Sequence, residues 1–316
     1  MKYFIIEPHI NYTSFSYYST FVNELCKNEN TSVSTNTKSL NEFCLKSDKS
    51  DCIFLGLGFF DNPKSFCNNY FTSFAESDTL KVAYVHKVKN QYQEKINFCK
   101  AHKIDLILTS TPLTKEIQRD SGIPTFTLPY GADPEMFHIT PNVEKKYDIS
   151  FSGAMHENKY GVPEELKNIR FKARDLIQQR KDLSVFWNGS DNPSQSYRMS
   201  QVEYVEKLNQ SKIWYAATGP AWDMNPRHSE ILFCGAVLLT NETPSGYYDQ
   251  WEDGFNCVRY KTDLSNFNQK IDEALKKQEI ITKNAYNFAS ENLTPNKIYE
   301  RFKWITKQIS KKLENL

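Results

Sequence analysis

Short, unbroken apolar runs alternate with longer amphipathic stretches through the first half of the chain, and they predict strands at 2–6, 51–57, 81–86, 104–109 and 124–129. Continuous rather than alternating apolarity marks strands covered on both faces, which is the pattern of a parallel sheet. Helical periodicity fills the gaps, most clearly over 90–102, where Ile96, Cys99 and Lys100 stand three and four apart. Strands alternating with helices in this way predict a doubly wound sheet.

The stretch 130–147 interrupts the rhythm with Gly131, Pro134, Pro141 and a run of charge, and reads as a linker. The alternation then restarts. Strands are expected at 148–152, 183–187, 213–218, 236–240 and 256–260, with helices at 163–180, 200–210, 226–234, 264–277 and 279–291. In the helix 163–180, Pro163 suits the first position, and Leu166, Ile169, Ala173 and Ile177 share one face. The expected organisation is therefore a Rossmann-like domain over 1–130, a linker over 131–147, a second Rossmann-like domain over 148–294, and an amphipathic helix over 295–316. Two such α/β domains face each other across a cleft, and their ligands lie beyond the carboxyl ends of the strands. In the last helix Ile298, Phe302, Ile305, Ile309 and Leu313 form one narrow stripe, opposite a face with six bases and two acids. That pattern fits a closing helix packed on the protein; a basic helix lying at a membrane surface is the second reading.

Composition narrows the function classes. At 316 residues, 39% apolar and 24% charged, the chain suits two ordinary globular domains. Its net charge of +1 supplies no global attraction to nucleic acid or lipid. Seven cysteines, none spaced as a metal or redox pair, read as reduced structural thiols of a cytoplasmic protein. The opening Met1–Glu7 reads as a first strand rather than a leader, and no apolar stretch approaches the roughly 18 residues of a membrane span. No Gly-x-Gly-x-x-Gly follows a strand: Leu55-Gly56-Leu57-Gly58 runs on into Phe59-Phe60, which argues against a dinucleotide oxidoreductase. The Gly-Lys-Ser/Thr of a P-loop is missing too.

The informative region begins at Thr218-Gly219-Pro220, where a buried strand ends in a polar loop that leads to a helix starting at Asn225-Pro226. Asn is a good helix cap and Pro a good first residue. Amides at 226–229 would make an anion site, reinforced by the guanidinium of Arg227, and Glu230 one turn on can accept from two vicinal hydroxyls such as those of a ribose.

Three motifs then carry a resemblance. Arg227-His228-Ser229-Glu230 with Cys234–Thr240, Trp251-Glu252-Asp253-Gly254 and Val258-Arg259-Tyr260 resembles the C-terminal domain of GT-B glycosyltransferases, of the "glycosyl transferases group 1" type related to family 4 and to CgeB-like proteins. Leu128–Phe137 resembles their interdomain segment, and Asp148–Gly153 their first C-terminal strand and donor-facing turn. The likeness spans about residues 125–290.

The resemblance implies a transferase that moves a sugar from a nucleotide-diphosphate sugar, UDP-sugar favoured, to a hydroxyl acceptor. It implies no cofactor and no metal, the leaving diphosphate being stabilised by the helix start at 226 and Arg227. Glu230 would hold the ribose, and Ser152, Gly153, Thr218, Asn225 and Ser229 would line the nucleotide. Trp187-Asn188-Gly189 ends a strand and faces the base or ribose, or is a buried aromatic before a turn. The family places a second glutamate eight residues before Glu230; this chain has Trp222 there and Asp223 beside it, which becomes the candidate for sugar hydroxyls. His86 falls where such enzymes carry a cleft-facing His or Asp, a candidate base, and His9 lies in the acceptor-side loop. Lys159 and Arg174 are weaker phosphate candidates. Two alternatives share the pattern: a transferase of the same fold acting on modified DNA bases, and a non-catalytic two-domain binder of sugars or nucleotides.

Overall fold

The computed structural model describes residues 1–11, 17–40, 50–155, 163–190, 199–244 and 250–313. They form two compact units, one made of Met1–Gly131 with Pro295–Leu316, the other of Ala132–Thr294.

The first unit is built on six parallel strands: β1 (Lys2–Ile6), β2 (Asn30–Ser34), β3 (Cys52–Leu55), β4 (Leu80–Tyr84), β5 (Leu106–Thr109) and β6 (Thr125–Thr127), in the order β2-β1-β3-β4-β5-β6. β3, β4 and β5 are buried along their whole length, as their unbroken apolar runs require. β2 is not visible in the hydropathy pattern. Its sequence Asn-Thr-Ser-Val-Ser is polar because it is an edge strand with most of its residues open to solvent, and only its register with β1 makes it a strand. The helix Pro295–Leu313 completes this unit's core. Ile298, Phe302, Ile305 and Ile309 are all buried, and the Phe302 ring lies 5.1 Å from Phe21, 5.3 Å from Phe54 and 5.9 Å from Tyr3. The stripe is thus a packing seam.

The second unit has five parallel strands: β7 (Tyr147–Ala154), β8 (Val185–Ser190), β9 (Ser211–Tyr215), β10 (Val237–Asn241) and β11 (Val258–Tyr260), in the order β11-β10-β9-β7-β8. The expected helix 163–180 is two pieces. A single turn at Glu164–Leu166 is separated from the helix Ile169–Gln179 by Asn168, whose φ of 56° breaks the helical ladder. Pro163 therefore precedes the turn and does not start the helix. Leu166, Ile169, Ala173 and Ile177 still share one core. The stretch read as a linker is pinned to this unit: Asn209 Nδ2 donates to the His138 carbonyl, Thr140 N–H donates to Asn209 Oδ1, and Lys145 Nζ donates to the Ser211 and Gly235 carbonyls. Both units are parallel α/β sheets, as the alternation of runs predicts.

Candidate functional site

In the second unit the site forms where β9 leads into the helix Arg227–Phe233. Beyond β9, the Thr218 N–H and hydroxyl both bond the Asn241 side chain at the end of β10. A tight turn follows: the Gly219 N–H donates to the Asp223 carbonyl at 2.8 Å, and the Ala221 N–H to Asp223 Oδ2 at 3.3 Å. Trp222 sits in this turn at φ 57°, a backbone region that a bulky residue adopts only when its surroundings dictate it. Asn225 then clips the helix start, its Oδ1 accepting from Arg227 N–H at 3.2 Å and its Nδ2 donating to the Ala217 carbonyl at 3.1 Å.

The helix start offers fewer free donors than the sequence suggests. Pro226 has no N–H, the Arg227 amide is held by Asn225, His228 N–H donates to the Asn225 carbonyl, and the Ser229 and Glu230 amides donate to the Pro226 carbonyl. The expected cradle of backbone amides is therefore taken up by local bonds.

Side-chain charge takes its place. The Arg227 guanidinium has no hydrogen-bond or ion-pair partner among the described residues. It lies against the carboxyl end of β7, where Gly153 adopts φ 155° and a Cβ would come within 3.5 Å of Arg227 Nη1. That φ favours glycine, and a Cβ there would also come 3.2 Å from Phe151 Cζ. Arg170, near the start of the helix Ile169–Gln179, donates from Nη1 to the Ala154 carbonyl at 2.8 Å. Burial, and then the like charge of Arg227, hold its guanidinium below the usual arginine range. Two cations thus sit together at one strand end without a carboxylate partner among the described residues, an arrangement that favours an anion. Arg170 escapes a reading by sequence because only the fold of β7 brings it to Arg227. Arg174, singled out instead, pairs with its neighbour Asp175 at 3.2 Å, while Lys159 and Cys44 lie outside the described residues.

Glu230 is partly exposed, and its Oε2 accepts from the Tyr204 hydroxyl at 3.0 Å. Burial pushes its carboxyl up to about 7, against the pull of Arg227 and Tyr204. His228 is buried between the Asn225 carbonyl and the Thr240 hydroxyl, and burial pushes it down to about 3, so it is neutral and structural. Of the expected nucleotide residues, Ser229 is fully buried, at 0% exposure, and Thr218 is buried at 4% with its hydroxyl bonded to Asn241. Trp187 is partly buried; its ring stacks on Phe151 at 4.4 Å and lies 6.0 Å from Tyr215. Ser152 and Gly153 run in register with Asn188 and Gly189 at the ends of β7 and β8, all partly exposed.

In the first unit a second cluster forms beyond the ends of β1, β3 and β4. His86 is buried beside the rings of Tyr17, Tyr18 and Tyr130, 6.0–6.3 Å away. Its Nδ1 meets Asp61 Oδ1 at 3.1 Å, and the same carboxylate receives Lys87 Nζ at 3.0 Å and the Tyr18 hydroxyl. Burial opposes ionisation of Asp61, but His86, Lys87 and Tyr18 outweigh it and hold its carboxyl well below the usual range. Burial lowers His86, with Asp61 pulling the other way, so the imidazole is neutral with an acceptor-side partner fixing one nitrogen. Asp61 was not foreseen, because 25 residues separate it from His86. The His9 ring lies 5.1 Å from Tyr18, tilted by 57°, and the His9 backbone N–H donates to Glu7 Oε1 at 3.1 Å. Glu7 is fully buried and also accepts from the Gly58 N–H; a Cβ on Gly58 would fall 2.2 Å from Glu7 Oε1, which explains the glycine there. Burial pushes Glu7 up to about 7.

Two doubly wound parallel α/β units in one chain define the GT-B class of fold. Among solved structures the chain is similar to HepE from Anabaena in complex with UDP, at 12% identity over 100% of both chains with a TM-score of 0.56. It is equally similar to a glycosyltransferase from Rickettsia africae, at 12% identity over 98% of this chain and 99% of that one, TM-score 0.56. It also resembles the pneumococcal O-GlcNAc transferase GtfA in complex with UDP and GlcNAc, at 14% identity over 86% of this chain and 59% of that one, TM-score 0.53. No protein-family profile matches the sequence, and no curated protein matches it. At these identities the likeness establishes the fold.

Proposed function

We propose that the protein is a glycosyltransferase that takes a sugar from UDP-sugar and passes it to a hydroxyl group of an acceptor. The observation that carries this reading is the pair Arg170 and Arg227, two guanidinium groups at the end of β7 with no ion-paired carboxylate among the described residues. A nucleoside diphosphate supplies the missing negative charge. Glu230, one helical turn beyond Arg227, receives the ribose hydroxyls in its ionised form. HepE has been solved with UDP and with UDP-glucose, and GtfA with UDP and GlcNAc, which supports uridine as the base.

His86, held by Asp61 through Nδ1, accepts the acceptor hydroxyl proton at Nε2. The acceptor oxygen bonds to the anomeric carbon while the bond from that carbon to the diphosphate oxygen breaks. Negative charge grows on the departing UDP, where Arg227 and Arg170 stabilise it most. With two fixed cations present, the reading requires no metal, and turnover should survive chelation. Asp223, its Oδ2 tethered to Ala221 N–H, serves the donor sugar hydroxyls.

A panel of nucleotides tests the donor half directly. UDP should raise the melting temperature of the protein, by about 2.7 kcal/mol of added stability at a hundredfold excess over its dissociation constant. Arg227→Ala should abolish that shift. A UDP shift of full size in the Arg227→Ala, Arg170→Ala double variant would remove the assignment.

A further inference from the structure

The C-terminal helix Pro295–Leu313 has a second face that the fold does not use. Its buried side is centred on Phe302 and Ile309. Two positions on from Phe302, Trp304 points about 160° away at helical spacing. There it is 59% exposed, among the most exposed large apolar side chains of the described residues. An indole in that position contributes nothing to the core.

Its surroundings are cationic. Lys297, Arg301, Lys303, Lys307 and Lys311 lie on or beside the same face, against Glu300 alone among the helix acids from 297 to 311. Glu300 is already bound by Lys297 at 2.9 Å, and Lys303 by Glu29, just before β2, at 2.9 Å. Arg301 and Lys307, three residues either side of Trp304, have no ion-pair partner among the described residues. The protein's net charge is only +1, so this concentration of positive charge is local.

We infer that this face docks on an anionic phospholipid surface, with Trp304 at the headgroup level and the surrounding lysines and arginines on lipid phosphates. An amphipathic ring ringed by long cationic side chains suits the interface between water and acyl chains, where the indole has both an apolar and a polar environment. The cations supply attraction that depends on lipid charge and on salt. The apolar stripe takes no part, since it is sealed against the first sheet. The surface would bring the first unit, with its His86 cluster, to acceptors displayed at a membrane. The inference stands apart from the proposed activity, because its readout is binding alone.

The test is co-sedimentation of the full chain with phosphatidylcholine vesicles, with and without phosphatidylglycerol, at low and moderate salt. Binding is expected only to the vesicles containing phosphatidylglycerol, and should weaken with salt. Each cation removed should weaken partition about fivefold, so Lys307→Glu, which reverses a charge, should weaken it more than Lys307→Gln. Trp304→Ala should reduce partition while leaving the melting temperature unchanged, and the emission blue shift seen on binding should vanish in Trp304→Phe. Absence of binding at low salt would overturn the inference. So would partition that Trp304→Ala and Lys307→Glu leave unaltered, or binding to single-stranded DNA that exceeds binding to vesicles.

Discussion

Asp61 Oδ1 and His86 Nδ1 lie 3.1 Å apart, so the carboxylate fixes one ring nitrogen and leaves Nε2 as the nitrogen without a protein partner among the described residues. That relationship does more than place a side chain. With Asp61 ionised, Nδ1 carries the proton and Nε2 keeps its lone pair.

Replacing Asp61 by Asn retains the shape but offers Nδ1 either a donor or a weaker acceptor. Turnover with acceptor should fall by roughly 10²–10⁴, while UDP affinity stays as it was. Steady-state kinetics beside calorimetric UDP titration check this. Equal losses in both measurements would show Asp61 to be a fold residue only.

Arg170 and Arg227 repel each other in the free protein and share a ligand in the bound one. Losing Arg227 should lower kcat/KM by about 10²–10³, the scale for one charge-stabilising donor. Because the two are neighbours, their effects should not add. Arg227→Ala alone should also raise the melting temperature slightly in the absence of nucleotide, since it relieves the repulsion. A double-mutant cycle on kcat/KM and on unliganded melting temperature gives both numbers.

Glu7 titrates from a usual 4.5 to about 7 because burial penalises its charged form. The folded state then binds a proton that the unfolded chain has released, so this residue's contribution is fully present below about 4.5 and is lost as pH rises through 7. The difference amounts to roughly 3 kcal/mol at most. Melting temperatures at pH 5 and pH 8 should therefore differ less in Glu7→Gln than in the parent protein. An unchanged difference would mean that Glu7 is ionised in the fold at pH 5.

Gly153→Ala places a methyl group 3.5 Å from Arg227 Nη1 on a backbone with φ 155°. The strain should cost about 1–3 kcal/mol, and UDP affinity should drop as well, because the strained β7 end is the wall on which the Arg227 guanidinium rests. Paired thermal melts with and without UDP measure both effects.

Much of the architecture was legible in the sequence, for physical reasons that differ by element. β3, β4 and β5 announce themselves because strands buried on both faces must be apolar throughout. β2 stays hidden because an edge strand has no such requirement. The helix start at Asn225-Pro226 could be read from capping chemistry, and its local bonds could not, so the free amides expected there are engaged instead. Arg227 and Glu230 stand one helical turn apart and are visible as a pair. Arg170 and Asp61 are not, since each reaches its partner only through long-range folding. Ser229 shows the limit of motif reading: a polar residue between Arg227 and Glu230 in sequence faces the core because a helix turns about 100° per residue.

The packing of Phe302 against Tyr3, Phe21 and Phe54 has a consequence for the order of events during synthesis. Strands β1 and β3 wait for a helix that is made only after the whole of Ala132–Thr294. The second unit can settle from contiguous chain, whereas the first spends translation with an unfilled hollow beside β1 and β3. The first unit is completed only after the second, and a nascent-chain binder that shields aromatic surface would find its target there.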